Sequence, residues 1–156
     1  MTLRKVAVAA AVLAFALSIA VVGYQHQSNR TTEKLRADAL TSATQYAEGL
    51  ATYDFDDPTA NLDRVTAAST EEFAGTYRDV STRLQELLVA GQGRATGTVT
   101  AAGLVELDDE RAVVAVFLDQ DVRNLSVPDG RVDSSRMLIG LSRVDDRWLL
   151  SSADPR

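Results

Sequence analysis

The sequence predicts an α+β domain, three helices packed on a bent antiparallel sheet of about four strands, carried behind one N-terminal transmembrane helix. Three observations predict it. Apolar residues recur at three- and four-residue spacing through the first half of the chain, and the period changes to that of strands after Gly93. Helical patterns come first and strand patterns after, with no strand–helix–strand alternation, which argues helices on one face of an antiparallel sheet. Residues 6–24 form an apolar run in which Ser18 is the only clearly polar side chain.

As a helix, those nineteen residues rise about 28 Å at about 1.5 Å per residue, close to the hydrocarbon thickness of a bilayer. Arg4 and Lys5 precede the run and the next Lys or Arg is Arg30, so the positive-inside rule places residues 1–5 in the cytoplasm and the rest outside. Ser18-Ile19-Ala20 also offers small residues at the spacing of a signal-peptidase site. The run stays apolar past Ala20 and no polar stretch precedes that site, which favours a retained anchor over cleavage.

Leu35, Ala39, Ala43, Tyr46, Ala47 and Leu50 define the next helix, so residues 25–50 read as a stalk continuing into the first domain helix, with 51–156 the remainder of the exported domain. Pro58 behind Asp57 reads as a first-turn proline after an N-cap, opening a short helix through Leu62 and Val65. Ser69-Thr70-Glu71-Glu72 reads as a capping box with Ser69 as the cap. Phe73, Tyr77, Val80, Leu84, Leu87 and Leu88 then share one face up to Gly91-Gln92-Gly93, and that stripe is expected to be buried against the domain.

Residues 95–107 are rich in Thr and Val, with Gly97 and Gly103 where strands bulge or bend. Asp108-Asp109-Glu110 is a turn, and residues 111–120 are apolar on both faces, as in a strand covered on both sides. Pro128, Asp129 and Gly130 mark 124–130 as a loop. Met137, Ile139 and Leu141 alternate along a further strand, Asp145-Asp146 is a tight turn, and 148–151 is the last strand.

Beyond Tyr24 the chain holds 14 basic against 22 acidic side chains, a formal charge of −8, which repels phosphate backbones and argues against nucleic-acid binding. Cysteine is absent, which excludes disulfides, thiolate metal sites and catalytic thiols. His26 is the only histidine and stands alone at the membrane exit. The acidic groups Asp54-Asp56-Asp57 and Asp108-Asp109-Glu110 lack the glycine and terminal glutamate of a calcium loop, so turn and capping duty is expected of them. Asn29-Arg30-Thr31 and Asn124-Leu125-Ser126 match the glycosylation tripeptide, a pattern that chance supplies often. Trp148, on an alternating strand, reads as core before it reads as a stacking platform.

Catalysis needs a base and a hydrogen-bond donor facing each other in an apolar pocket. Asp119 and Asp121 share a strand face and could supply the carboxylate, with Tyr77 as donor. Phe117 shares that face and both acids stand at its polar end, the pattern of a solvated surface. The expectation is therefore a non-enzyme, with no catalytic, cofactor-binding or metal-binding residue and no cofactor.

The order of anchor, amphipathic helices and strands closing on Arg143-Val144-Asp145-Asp146-Arg147-Trp148-Leu149-Leu150 resembles the Mce-associated membrane proteins of actinobacteria. Tyr46-Ala47-Glu48-Gly49-Leu50-Ala51-Thr52-Tyr53-Asp54-Phe55 resembles the segment by which that family runs into its second helix. Asp146 departs from the family, where glycine is more usual in the turn. The resemblance implies a nuclear-transport-factor-like (cystatin-like) exported domain. It further implies an accessory protein that stabilises an Mce-type lipid or sterol importer through contacts with the transporter subunits, with lipid or sterol contact open. Two alternatives stay beside it: a scaffold subunit of a type IV secretion-like system, which shares the layout, and a cone-shaped domain that binds or isomerises a small apolar ligand.

Overall fold

The structure, a computed structural model, describes residues 31–156. The expected anchor at 6–24, the cytoplasmic end at 1–5, the start of the stalk at 25–30, His26 and Asn29 lie outside the described residues. None of the described helices is long and apolar enough to cross a membrane. The chain divides into the units Met1–Leu35 and Arg36–Arg156, and the second carries every strand and the features treated below.

Helix α1 occupies 31–51. Its inward row is Ala39, Ala43, Ala47 and Ala51, all buried and four residues apart, so the helix backbone can lie close to the sheet. The closest approach is at Gly97, where an added Cβ would stand 2.5 Å from the Ala51 Cβ. Only glycine fits there. That is a packing role for Gly97, where the sequence suggested a bulge. The bulges fall instead between Val99 and Ala101 and between Leu104 and Glu106.

Helix α2, Pro58–Ala67, begins as expected, with Pro58 in its first turn and the Asp57 carboxylate accepting the Ala60 N–H at 3.2 Å. Helix α3, Glu71–Gly91, is capped by Thr70, not Ser69. The Ser69 hydroxyl donates to the Val65 carbonyl at 2.6 Å, and the chain on either side of it is tied to Leu150 by N–H bonds of 2.9 Å. The cap therefore passes to Thr70, whose hydroxyl accepts from the Phe73 N–H at 3.4 Å. The helix ends as the sequence indicated, although the left-handed residue is Gln92 (φ 51°) and not a glycine.

Five strands form one antiparallel sheet in sequence order: β1 Tyr53–Asp54, β2 Arg94–Leu107, β3 Arg111–Asn124, β4 Val127–Val144 and β5 Arg147–Pro155. The strand beyond the expected four is β1, a two-residue pairing of Tyr53 and Asp54 with Ala95 and Arg94 that is too short to leave a periodic signal. Three helices and a five-stranded antiparallel sheet make up the α+β architecture that the sequence predicts.

Strand β3 differs from the expectation of cover on both faces. Ala112, Val114, Val116, Leu118 and Val122 are buried under the helices, whereas Phe117 on the opposite face is 52% exposed. Among the described residues the helices lie on one side of the sheet, and the face that carries Phe117 is the more exposed one. The loop expected at 124–130 is a two-residue turn, Leu125-Ser126, closed by the Asn124 side chain accepting from Ser126 and Val127 N–H at 2.8 and 3.0 Å. Pro128, Asp129 and Gly130 lie inside β4, in a bulge opposite Arg123. There proline forfeits no ladder bond and Gly130 takes φ +81°. The β4–β5 hairpin turns on Asp145 and Asp146, both left-handed at φ 48° and 62°, the primed geometry of a two-residue hairpin turn. Trp148 is 4% exposed and belongs to the core with Leu118, Ile139, Leu141 and Leu150.

Candidate functional site

The helices leave an apolar groove where α1 ends. Leu50 of α1, Phe73, Thr76, Tyr77 and Val80 of α3, Met137 of β4, and Ala153 and Pro155 of β5 enclose about 330 Å³. Phe73 and Tyr77 stack with ring centroids 6.0 Å apart and planes within 17°, a rigid aromatic wall. Among the described residues no charged side chain lines the groove.

Its polar atoms are committed elsewhere. The Tyr77 hydroxyl donates to Asn61 Oδ1 at 2.5 Å. Asn61 Nδ2 donates in turn to the carbonyls of Gly49 and Thr52 at 2.9 and 2.8 Å. Asn61 thus joins α2 to α3 and caps carbonyls at the end of α1 that would otherwise lack partners. Burial pushes the Tyr77 phenol above the usual tyrosine range, against smaller opposing effects from Ser81 and Arg64. Thr76 donates to the Glu72 carbonyl at 3.3 Å, as helical threonines do.

The carboxylates weighed from sequence are not in this groove. Asp119 and Asp121 share the outward face of β3 with Phe117, separated by the sheet from Tyr77. Asp119 accepts the Ser134 hydroxyl at 2.6 Å, and Asp121 stands 3.8 Å from Arg123 with its side chain 57% exposed. The base and the donor that chemistry would require are therefore not brought together.

The other acidic groups have structural partners. Asp54 accepts from the Asp56 N–H at 2.9 Å and stands 3.5 Å from Arg94, which also pairs with Asp56 and lies 4.8 Å above the Phe55 ring. Asp108 accepts from the N–H groups of Glu110 and Arg111 at 2.8 and 2.7 Å, and those two bonds hold its carboxyl below the usual range. Among the described residues no group of three or more His, Asp or Glu could hold a metal ion.

The largest departure from the sequence reading is on α3. Only half of the stripe expected to be buried is covered: Phe73, Tyr77 and Leu88 are half-buried, whereas Val80, Leu84 and Leu87 are 57%, 46% and 70% exposed. The side chains that α3 buries are Ala74 and Ser81, seven residues apart on a neighbouring face. The stripe was legible as a pattern, but its orientation was not. Periodicity ranks faces by hydrophobicity, whereas the close fit of α3 selects the face with small side chains.

Comparison with known proteins follows the geometry. The family model described as "Uncharacterized protein Rv1363c/MT1408-like" matches residues 1–140. "Outer membrane protein Rv1973" of Mycobacterium tuberculosis is 29% identical over 149 residues, 92% of this chain and 89% of its own length. "Uncharacterized protein Rv1362c" of the same organism is 27% identical over 99 residues, 60% of this chain and 45% of its own length, so the match spans less than half of that relative. Among solved structures, an IcmL-like type IV secretion system protein from Legionella pneumophila superposes with a TM-score of 0.65 at 12% identity, covering 78% of this chain and 91% of the other. At that identity the likeness shows the fold alone.

Proposed function

The chain belongs to the Rv1363c/MT1408-like family, and on that premise we propose that it is a non-catalytic assembly subunit of the cell envelope, anchored by residues 6–24 with its α+β domain on the outer side. The observation that carries this reading is the row of large aliphatic side chains that α3 leaves in water. Exposed apolar surface is costly to maintain, and on a folded domain it marks a contact site. The fold likeness to a type IV secretion system protein and the kinship with a protein named for the outer membrane support an envelope setting. Between the partner complexes weighed from sequence, that likeness favours a secretion-type scaffold role, and the Mce-type lipid importer rests on the sequence resemblance alone.

The test is crosslinking in intact cells from full-length tagged protein, followed by identification of the captured subunits and blue-native electrophoresis of the membranes. The reading expects one envelope complex, with capture lowered at least tenfold by Leu87→Glu, which places a charge in the stripe without disturbing the core. Secretion-type subunits would identify a scaffold, and Mce subunits an importer accessory. Migration as a free protein with no envelope partner captured would overturn the proposal.

A further inference from the structure

Strand β4 has a partner on only one side over part of its length. β5 pairs with it from Met137 to Val144, and the Arg156 N–H closes on the Arg136 carbonyl at 2.9 Å. Among the described residues, 131–135 pair with β3 alone. Backbone groups alternate in direction along a strand, so Val132 and Ser134 turn their N–H and C=O the same way as Arg136, to the free edge. Both faces are open there: Val132 is 64% exposed on one, and the Arg131 and Asp133 side chains are 59% and 42% exposed on the other. A free edge invites a further strand, and proteins block it with bulges, proline or charged side chains. Here Pro128 and the bulge block the edge only up to Gly130. Beyond them the charges are Arg131 and Asp133, opposite in sign and paired with each other at 2.9 Å, which does not repel a second copy.

We infer that this edge pairs antiparallel with the same edge of a second copy of the chain, about a two-fold axis at Val132. In that register the two Val132 residues exchange N–H···O bonds across the axis, and Ser134 of each copy meets Gly130 of the other at the rim of the bulge. The levels flanking the axis are of the non-hydrogen-bonded kind, in which Cα atoms stand about 4.5 Å apart and side chains are closest. Arg131 of each copy then lies directly opposite Asp133 of the other. The two internal ion pairs thereby join into a ring of four charges that alternate in sign. Opposite charges facing each other across a ladder stabilise it, and like charges destabilise it. Charge selects this register among its neighbours, because moving the axis one residue either way sets Arg131 against Arg131 or Asp133 against Asp133. The same patch meets itself, as in any isologous two-fold contact, and the helices of both copies lie on one side of a continuous sheet. Main-chain bonds and charge hold this short ladder with little apolar area, so the dimer is weak in dilute solution.

The edge of β4 is a different surface from the α3 stripe, so the inference does not rest on the assembly reading. The chain contains no cysteine, so an introduced one reports without background. Full-length protein carrying Val132→Cys is treated in intact cells with a short bismaleimide. The crosslinked dimer is expected at least tenfold above that from Val105→Cys, likewise exposed but on β2. Adding Arg131→Asp sets Asp against Asp on both sides of the axis and should lower the product at least tenfold. Adding Asp133→Arg as well restores the alternation and should return the product to within twofold of the Val132→Cys level. A Val132→Cys product no greater than the Val105→Cys control, with the protein at normal abundance, overturns the dimer. Insensitivity to Arg131→Asp, or a loss that Asp133→Arg does not repair, overturns the register. If the edge contact fails while the envelope complex is still captured, the inference falls and the assembly reading stands.

Discussion

Tyr77 separates a structural reading of the groove from a catalytic one. Its hydroxyl donates to Asn61 Oδ1 at 2.5 Å, and Asn61 holds the Gly49 and Thr52 carbonyls through its amide. Tyr77→Phe keeps the ring and its stacking on Phe73 but leaves the Asn61 oxygen without a donor in a half-buried site. Stranding such a group costs about 1–3 kcal/mol. Asn61→Ala should cost more than Tyr77→Phe, because it also strands the two carbonyls at the end of α1. The double variant should show a coupling of about 0.5–3 kcal/mol, as expected for residues in one network. Urea unfolding of a fragment spanning 31–156, followed by the fluorescence of the sole tryptophan, Trp148, supplies these values. A pH dependence accompanies them. The Tyr77 phenol is raised by burial, so on passing above about pH 10 the unfolded chain loses this proton first. The stability contributed by the neutral phenol is thus present below pH 10 and is lost as pH rises toward the folded value. Tyr53, raised by burial and by Asp133, adds a second such contribution that Tyr77→Phe leaves in place. Unchanged stability in Tyr77→Phe, joined to complete loss of biological function, would refute the brace and restore Tyr77 as a chemical donor.

Three further outcomes are expected. Trp148→Ala should lower stability by about 3–5 kcal/mol, since the ring is fully packed, and a loss below about 1 kcal/mol in the same unfolding assay would place it outside the core. Gln92→Gly should raise stability by about 0.5–1 kcal/mol by relieving the left-handed backbone at the end of α3, and destabilisation would mean that the Gln92 side chain holds the cap. Asp119→Asn and Asp121→Asn should leave assembly of the envelope complex on blue-native gels unchanged, because both carboxylates face water across the sheet from the groove; loss of the complex with an intact fold would give that face a function.

The parts of the fold that were legible in the sequence are those in which one local signal has one structural meaning. Pro58 behind Asp57 opened α2 because a first-turn proline needs no N–H and an aspartate oxygen can accept the orphan amide. Asp145-Asp146 made the hairpin because short polar side chains tolerate left-handed backbone. The parts misread are those in which the same residues serve two structures. Pro128-Asp129-Gly130 has the chemistry of a loop, and a bulge in a long strand uses that chemistry without ending the strand. Val113, Ala115 and Phe117 look like buried residues on a second strand face, yet Val113 and Ala115 are only half-buried and Phe117 is exposed. Ser69 has the spacing of a cap, but its hydroxyl was taken by the preceding helix.

The reading of α3 fails for a different reason, and that reason bears on function. A helix carrying both a large-aliphatic stripe and a small-residue face can pack by either. Burying Val80, Leu84 and Leu87 inward would gain about 25 cal/mol per Å² of apolar surface, so the choice of Ala74 and Ser81 runs against the local hydrophobic gradient. The constraint comes from elsewhere in the fold. The ladder at Leu150 fixes where α3 begins, and Gly93, whose N–H donates to the Leu88 carbonyl at 2.8 Å, fixes where it ends and leads into β2. With both ends set, the rotation of the helix is set as well, and the aliphatic stripe must point outward. Exposed aliphatics contribute nothing to the core of the domain and invite aggregation. Their exposure on α3 is what supports the assembly reading proposed above. The candidate site was therefore present in the sequence as a pattern, and only the fold revealed that it faces outward.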